Sequence, residues 1–210
     1  MFSDKIIEPE VTPAVATQAG DRVGDELITR GVSDPAIRLE PVQTSDEPFL
    51  YRTYASTRVE ELALTGWNDE QKEQFLRMQY EAQKSSYRMQ CPEAKYWVIY
   101  YKGSPAGRLT LDREPHKIHI VDIALVSEFR GNGVGTALMR SIQREASESG
   151  KSVSLHVERF NPALRWYERM GFKVVSEGPI YLEMMWRPSE ATESNLQESR
   201  VRVEYAGAVD

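Results

Sequence analysis

Cysteine is nearly missing from this chain. Cys91 stands alone among 210 residues, so no internal disulfide forms and a reducing compartment suits the protein. Long apolar runs are missing as well; none approaches the ~20 residues of a membrane-spanning helix. The first ten residues, Met-Phe-Ser-Asp-Lys-Ile-Ile-Glu-Pro-Glu, lack a basic segment followed by an apolar one, so no secretory signal is expected. A basic excess is missing too. The formal net charge is -6, and the concentrated basic face of a nucleic-acid binder is not there. These absences leave a cytoplasmic protein with no membrane and no nucleic-acid partner as the expectation.

The acidic charge is uneven. Residues 1–34 carry net -4 and residues 189–210 net -3, which leaves +1 for residues 35–188. Residues 1–34 are also rich in Pro, Gly, Ala and Thr without sustained periodicity, and read as a flexible acidic extension. Residues 35–188 read as one folded domain, and 189–210 as an acidic tail. Within that tail, Val201-Arg202-Val203-Glu204-Tyr205 alternates like an edge strand.

The most informative stretch runs from Ile118 to Thr136. Ile120 to Val126 is apolar on both faces, as in a strand buried on both sides. A glycine-rich turn follows, Arg130-Gly131-Asn132-Gly133-Val134-Gly135. It opens a helix with Val134, Leu138, Ile142 and Ala146 at helical spacing. Free backbone N–H groups at such a helix start, together with the helix dipole, favour an anion, usually a phosphate. No Lys-Ser or Lys-Thr pair follows the last glycine, so the turn is not a nucleotide P-loop. The third glycine of a dinucleotide fingerprint comes one residue early, at Gly135.

Around this core the pattern predicts a strand over 36–42, then a helix after Asp46 with Tyr51, Ala55, Val59 and Leu62 on its apolar face. A second helix runs from Trp67-Asn68-Asp69 to about Tyr87, with Phe75, Met78 or Gln79, and Ala82 facing inward. Tyr96 to Tyr101 and Ala106 to Arg113 form a hairpin about Lys102-Gly103-Ser104-Pro105. The helix after Gly135 ends at Gly150, and 152–158 is the next strand, parallel to 118–126. Asn161 caps a short helix that Gly171 ends. Strands at 172–175 and 180–186 close the sheet. On the strand 118–126, Asp122 shares a face with Ile118, Ile120 and Ala124.

Arg130-Gly131-Asn132-Gly133-Val134-Gly135 resembles the (Arg/Gln)-x-x-Gly-x-(Gly/Ala) signature of the GCN5-related N-acetyltransferases, the GNAT superfamily. Asn161-Pro162-Ala163-Leu164 through Tyr167-Glu168-Arg169-Met170-Gly171-Phe172 is similar to the Asn-x-x-Ala and Tyr-x-x-x-Gly-Phe stretch that follows that family's fifth strand. The likeness spans residues 37–186. It implies an α/β GNAT fold, a mixed central sheet of about seven strands with helices on both faces.

The resemblance also implies an activity, transfer of an acetyl group from acetyl-CoA directly to a primary amine. Acetyl-CoA is then the co-substrate, an amine acceptor is the partner and no metal is involved; a homodimer is an option. The acceptor is open: a small amine, or a protein N-terminus or lysine. A silent acyl-CoA-binding module is the reading from another class. The turn from Arg130 through Val134 and Thr136 would hold the pyrophosphate. Backbone groups of Ala124, Leu125 and Val126 would pair with the pantetheine arm, with an N–H of Leu125 or Val126 donating to the thioester oxygen. Tyr167 matches the general acid that protonates the departing thiolate, and Asn161 is an N-cap that also reaches the cofactor. Asp122 or Glu158 would orient or deprotonate the amine. The helical segment 46–87 would wall the acceptor site, whereas His119, His156 and Cys91 read as structural.

Overall fold

The computed structural model describes Val32 and residues 34–188. The expected acidic extension and tail, apart from Val32 and Asp34, lie outside the described residues.

The sheet begins with β1 (Ile37–Pro41). A 3₁₀ turn at Thr44–Asp46 leads into α1 (Glu47–Ser56), with Pro48 in its first turn. Asp46 does not cap α1 with its side chain; its carboxylate accepts from the Gln43 N–H at 2.8 Å instead. The long helix expected here is broken. A separate α2 covers Val59–Ala63, and hydroxyls of Ser56 and Thr57 bond carbonyls three residues back, drawing the last turn of α1 tight. Gly66, at φ +68, turns the chain toward α3 (Asp69–Gln90). Asn68 and Gln71 form a reciprocal capping box there, at 2.9 and 3.0 Å.

Leu62 is buried as expected, but the other buried positions of these helices sit one place away from the expected stripe. α1 buries Leu50, Thr53 and Tyr54 rather than Tyr51 and Ala55, and Val59 is exposed. α3 turns Tyr80 inward and leaves Met78 and Ala82 exposed. In both helices tyrosine, not the smaller apolar residue, is the inward group, because a tyrosine buries more apolar area and its hydroxyl finds polar neighbours here.

Next come β2 (Lys95–Tyr101), β3 (Ser104–Arg113) and β4 (Lys117–Leu125). The first two are joined by a two-residue turn with positive φ at Lys102 and Gly103. Then follow a 3₁₀ turn at Ser127–Phe129, α4 (Val134–Glu148), β5 (Ser152–Glu158), α5 (Leu164–Arg169), β6 (Lys173–Glu177) and β7 (Tyr181–Trp186). α5 starts later than expected. Asn161 still caps the turn, its Oδ1 accepting from the Ala163 N–H at 2.9 Å.

Seven strands form one mixed sheet in the order β1-β2-β3-β4-β5-β7-β6, in which β4 and β5 are parallel and every other pair antiparallel. α4 covers one face. Leu138, Met139 and Ile142 are fully buried there, against Leu109, Leu111, Ile118 and Leu155. One charged pair crosses that core: Arg113 Nε donates to Glu145 at 2.7 Å, with both side chains almost wholly buried. α1 and α3 cover the other face over a smaller cluster, Leu50, Tyr54, Tyr80 and Val98.

Two irregularities in the sheet set up the site. β4 keeps its parallel pairing with β5 only from Lys117 to Ile120, then leaves it, while β5 stays paired with β7 as far as Glu158. The divergence starts where the β3–β4 register skips a residue: Leu111 faces Ile120 but Thr110 faces Asp122, so Val121 is bulged. The bulge also reverses the alternation. Ile118 and Ile120 point into the α4 core, while Asp122 lies in register with Thr110 on the α3 face. The expectation that Asp122 shares a face with the two isoleucines is therefore wrong. A strand read without its bulge assigns every later side chain to the opposite face.

Candidate active site

The divergence of β4 from β5 leaves a stretch of strand edge open in the middle of the sheet. Which backbone groups face that gap follows from the antiparallel ladder. The Val126 N–H donates to the Ala106 carbonyl at 3.0 Å. Hydrogen-bonded pairs alternate, so Ala124 is likewise turned to β3, while Ile123 and Leu125 present N–H and C=O to the gap. Both polar backbone groups of Val126 are engaged internally, since its carbonyl accepts from the Phe129 N–H at 3.1 Å. The Leu125 carbonyl likewise has a partner within the chain, Arg130 Nε at 2.9 Å. Ile123 was not among the expected residues; the pairing parity that selects it is not visible in sequence. The close approach of the strands depends on Gly107, where a Cβ would meet the Ala124 carbonyl oxygen at 2.1 Å.

The glycine turn sits at the end of this open edge. Gly131 and Gly133 have φ of +76 and +81, and a Cβ on either would meet nothing within 4 Å. Left-handed backbone explains these two glycines; crowding does not. Gly133 precedes α4 without a side-chain cap, and no acidic residue lies in the first turn of α4. The early N–H groups of α4 (Val134, Gly135, Thr136) are thus free of a capping side chain, which suits a pyrophosphate. Arg130 Nε donates to the Leu125 carbonyl at 2.9 Å, tying the turn to the strand edge. Asn132 Nδ2 donates to the Arg130 carbonyl at 3.3 Å. Trp166 of α5 donates its indole N–H to the Thr136 hydroxyl at 3.2 Å, and its ring lies beside Gly135. The residues therefore fit a coenzyme with a diphosphate and an extended amide-bearing arm.

Tyr167 lies at the foot of α5, packed edge-on against Phe172 and buried. Burial, and then the charge of Asp122, push its phenol up to about 12. The same charge links it to the other side of the gap, where Asp122 lies 2.5 Å from Arg108 Nε. That approach is off the N–H axis, so the pair is held by charge rather than by a formed hydrogen bond. Arg108 also donates to the Gln83 side-chain oxygen at 3.0 Å. Glu158 is at the rim, half exposed, 3.6 Å from Arg58. Tyr87 of α3 lies among Asp122, Arg108, Tyr181 and Arg58; burial first, then Asp122, raises its phenol well above the tyrosine range. Nothing in the spacing of α3 marks Tyr87, because the inward face of that helix sits a residue away from the one its pattern predicts.

The structure thus leaves Tyr167 within reach of the Asp122 charge, sets Glu158 beside Arg58 and puts Asn161 in a capping role. His119 lies beside Ser154 (3.0 Å) and the His156 ring (5.3 Å). Burial, then the neighbouring His156, lower its pKa to about 4. Cys91 is pushed up to about 11 by burial and by Asp112. Between α1, α3 and the sheet is a cavity of about 210 Å³ whose wall includes Tyr80, Tyr87, Tyr96, Arg108 and Asp122. Among the described residues no group of three or more His, Cys, Asp or Glu could hold a metal ion, and no helix is long and apolar enough to cross a membrane.

The acetyltransferase (GNAT) family model matches residues 58–172. The chain belongs to the GNAT family of acetyltransferases. Solved structures share its fold. PaiA N-acetyltransferase from Thermoplasma acidophilum, solved in complex with coenzyme A, aligns with 72% of this chain and 99% of that one, at 17% identity and a TM-score of 0.57. An acetyltransferase from Thermus thermophilus aligns with 73% and 97%, at 20% identity and 0.53. Ard1 from Thermoplasma volcanium aligns with 74% and 99%, at 22% identity and 0.50. No curated protein sequence matches this GNAT chain. At these identities the structural neighbours speak for the fold alone, and the family rests on the model match.

Proposed function

We propose that this protein transfers an acetyl group from acetyl-CoA directly to a primary amine. The observation that carries the reading is the open β4 edge, flanked by an uncapped glycine-led helix start on one side and by Asp122 and Tyr167 at its end. Acetyl-CoA, when bound, supplies the acetyl group as a thioester. The N–H groups of Val134, Gly135 and Thr136 and the backbone of Gly131, Asn132 and Gly133 hold its pyrophosphate, and Arg130 fixes the turn that presents them. Ile123 and Leu125 pair with the arm as an added strand would. The Leu125 N–H donates to the thioester oxygen and stabilises charge developing there. Asp122, already sharing its charge with Arg108, orients the amine.

The nitrogen–carbon bond forms as the carbon–sulfur bond breaks. The amine gives up one proton, which leaves to water at the rim beside Glu158, and the sulfur receives one. Tyr167 is the donor at sulfur. With a phenol at about 12 against a thiol near 8.5, transfer from Tyr167 alone is uphill by several kcal/mol even to the fully departed thiolate. The Tyr167 hydroxyl therefore stays bonded to sulfur as negative charge builds there, and its proton moves across only as a proton from the amine, relayed through water, replaces it. A thiol at about 11 makes Cys91 a poor nucleophile, which favours direct transfer over an acyl-enzyme. The single cysteine also suits a cytoplasmic setting. Calorimetry with acetyl-CoA, followed by thiol release against an amine panel, tests the reading. Absence of acetyl-CoA binding in a folded protein would sink it.

A further inference from the structure

The cavity beneath α1 and α3 carries an inference about the acceptor, which rests on the transfer reading above. At about 210 Å³ it is below the usual range for drug-sized ligands, roughly 300–1,000 Å³. It lies between α1, α3 and the sheet and is partly open to solvent. Its charged wall groups are Lys84, Arg88, Arg108, Glu47 and Asp122, three cations against two carboxylates. Lys84 is neutralised by Glu47 at 2.5 Å and by Glu81 at 3.3 Å. Arg108 is neutralised by Asp122. Arg88, in the last turn of α3 and solvent-exposed, makes no ion pair or side-chain hydrogen bond among the described residues.

Tyr96 lines the same cavity. The Tyr96 hydroxyl is buried and has no hydrogen-bond partner among the described residues, and Arg88 is close enough for its charge to act on that phenol. Cys91 and Asp112 lie behind the hydroxyl, bonded to each other. One end of the cavity thus offers an unpaired cation and an unused O–H donor. The other end offers Asp122 at the open strand edge. Tyr96, Thr110 and Asp122 occupy a single row across β2, β3 and β4, so the two ends are anchored two strand spacings apart, roughly 10 Å.

We propose that the acceptor is a small amine that carries a carboxylate, of amino-acid size. Its amine meets Asp122 at the β4 edge, and its carboxylate meets the Arg88 guanidinium and the Tyr96 hydroxyl. The same charge balance disfavours polyamines, whose second ammonium would sit against Arg88 without a carboxylate to receive it.

The test is a matched ladder of acceptors: glycine, β-alanine, γ-aminobutyrate and δ-aminovalerate, each beside its amide and beside the diamine of equal chain length. At the best length the carboxylate should exceed both the amide and the diamine at least about tenfold in kcat/KM, the scale of one charge-assisted contact. Arg88→Gln should erase that preference through KM, with kcat for the amide unchanged, and Tyr96→Phe should weaken it in the same direction. A better rate with the diamine, equal rates with acid and amide, or an Arg88→Gln loss shared equally by acid and amide would overturn the assignment. So would acetylation of a peptide N-terminus with none of the ladder accepted, an outcome that leaves acetyl transfer itself standing. Failure to bind acetyl-CoA would instead strike the transfer reading on which this one rests.

Discussion

The two faces of the sheet are built on different terms. Under α4 the face is almost wholly apolar, with Leu138, Met139 and Ile142 at zero exposure. Its charged exception, Arg113 with Glu145, is a buried pair bonded at two points. Under α1 and α3 the contacts are tyrosines, arginines and carboxylates around a cavity, with few fully buried apolar groups. On the transfer proposal, the first face carries stability and the second carries selectivity. A polar face beside an open strand edge is a costly way to hold a fold and an effective way to hold a small polar molecule.

Several substitutions would break or sharpen that contrast. The largest effect belongs to the apolar face. Ile142→Ala should cost about 2–5 kcal/mol of unfolding free energy in urea titration, because the surrounding side chains cannot close the cavity. A loss below about 1 kcal/mol would mean that this face is not the stabilising one.

The next effect comes from His119, on the polar face. With its folded pKa at about 4 and an ordinary value near 6.5, the unfolded chain binds the extra proton first. The stability tied to neutral His119 is therefore present above about pH 6.5 and is lost as pH falls toward 4, by about 3 kcal/mol. Urea midpoints of the parent and of His119→Gln should lie closest at pH 7, and the parent should lose more stability than the variant by pH 4.5. Parallel curves would show that His119 titrates normally.

Tyr167→Phe keeps the ring in place and removes the hydroxyl. Its kcat should drop about 10²-fold, with acetyl-CoA affinity held. Because the phenol lies at about 12, the parent should show no loss of rate from its ionisation up to about pH 11. A variant within about twofold of the parent would remove Tyr167 from the chemistry.

At the glycine turn, Gly133→Asp should weaken acetyl-CoA at least ~10-fold by calorimetry. Gly133→Asn imposes the same left-handed backbone cost without the charge and should weaken it less. Equal losses would attribute the effect to the backbone alone. The smallest effect is expected at β6, where Val174 and Val175 are exposed at the sheet edge. Val175→Thr should change stability by no more than about 0.5 kcal/mol.

The sequence by itself determined what depends on short-range patterns. Helical spacing from Val134 to Ala146 marked α4, the glycine turn marked its start, and Gly150 and Gly171 marked two helix ends by their left-handed backbone. The parallel pairing of β4 with β5 followed from the helix between them. Tertiary structure decided the rest. Only strand pairing shows that Val121 bulges, and that bulge moves Asp122 from the core face to the cavity. Ladder parity turns the Val126 N–H to β3 and the backbone groups of Ile123 to the gap. The inward phase of α3 was settled by Tyr80 packing on Tyr54 at 5.5 Å, which no spacing rule anticipates when the helix is polar on most of its surface. Backbone conformation is encoded locally, whereas which side chains share a space is set by partners distant in sequence.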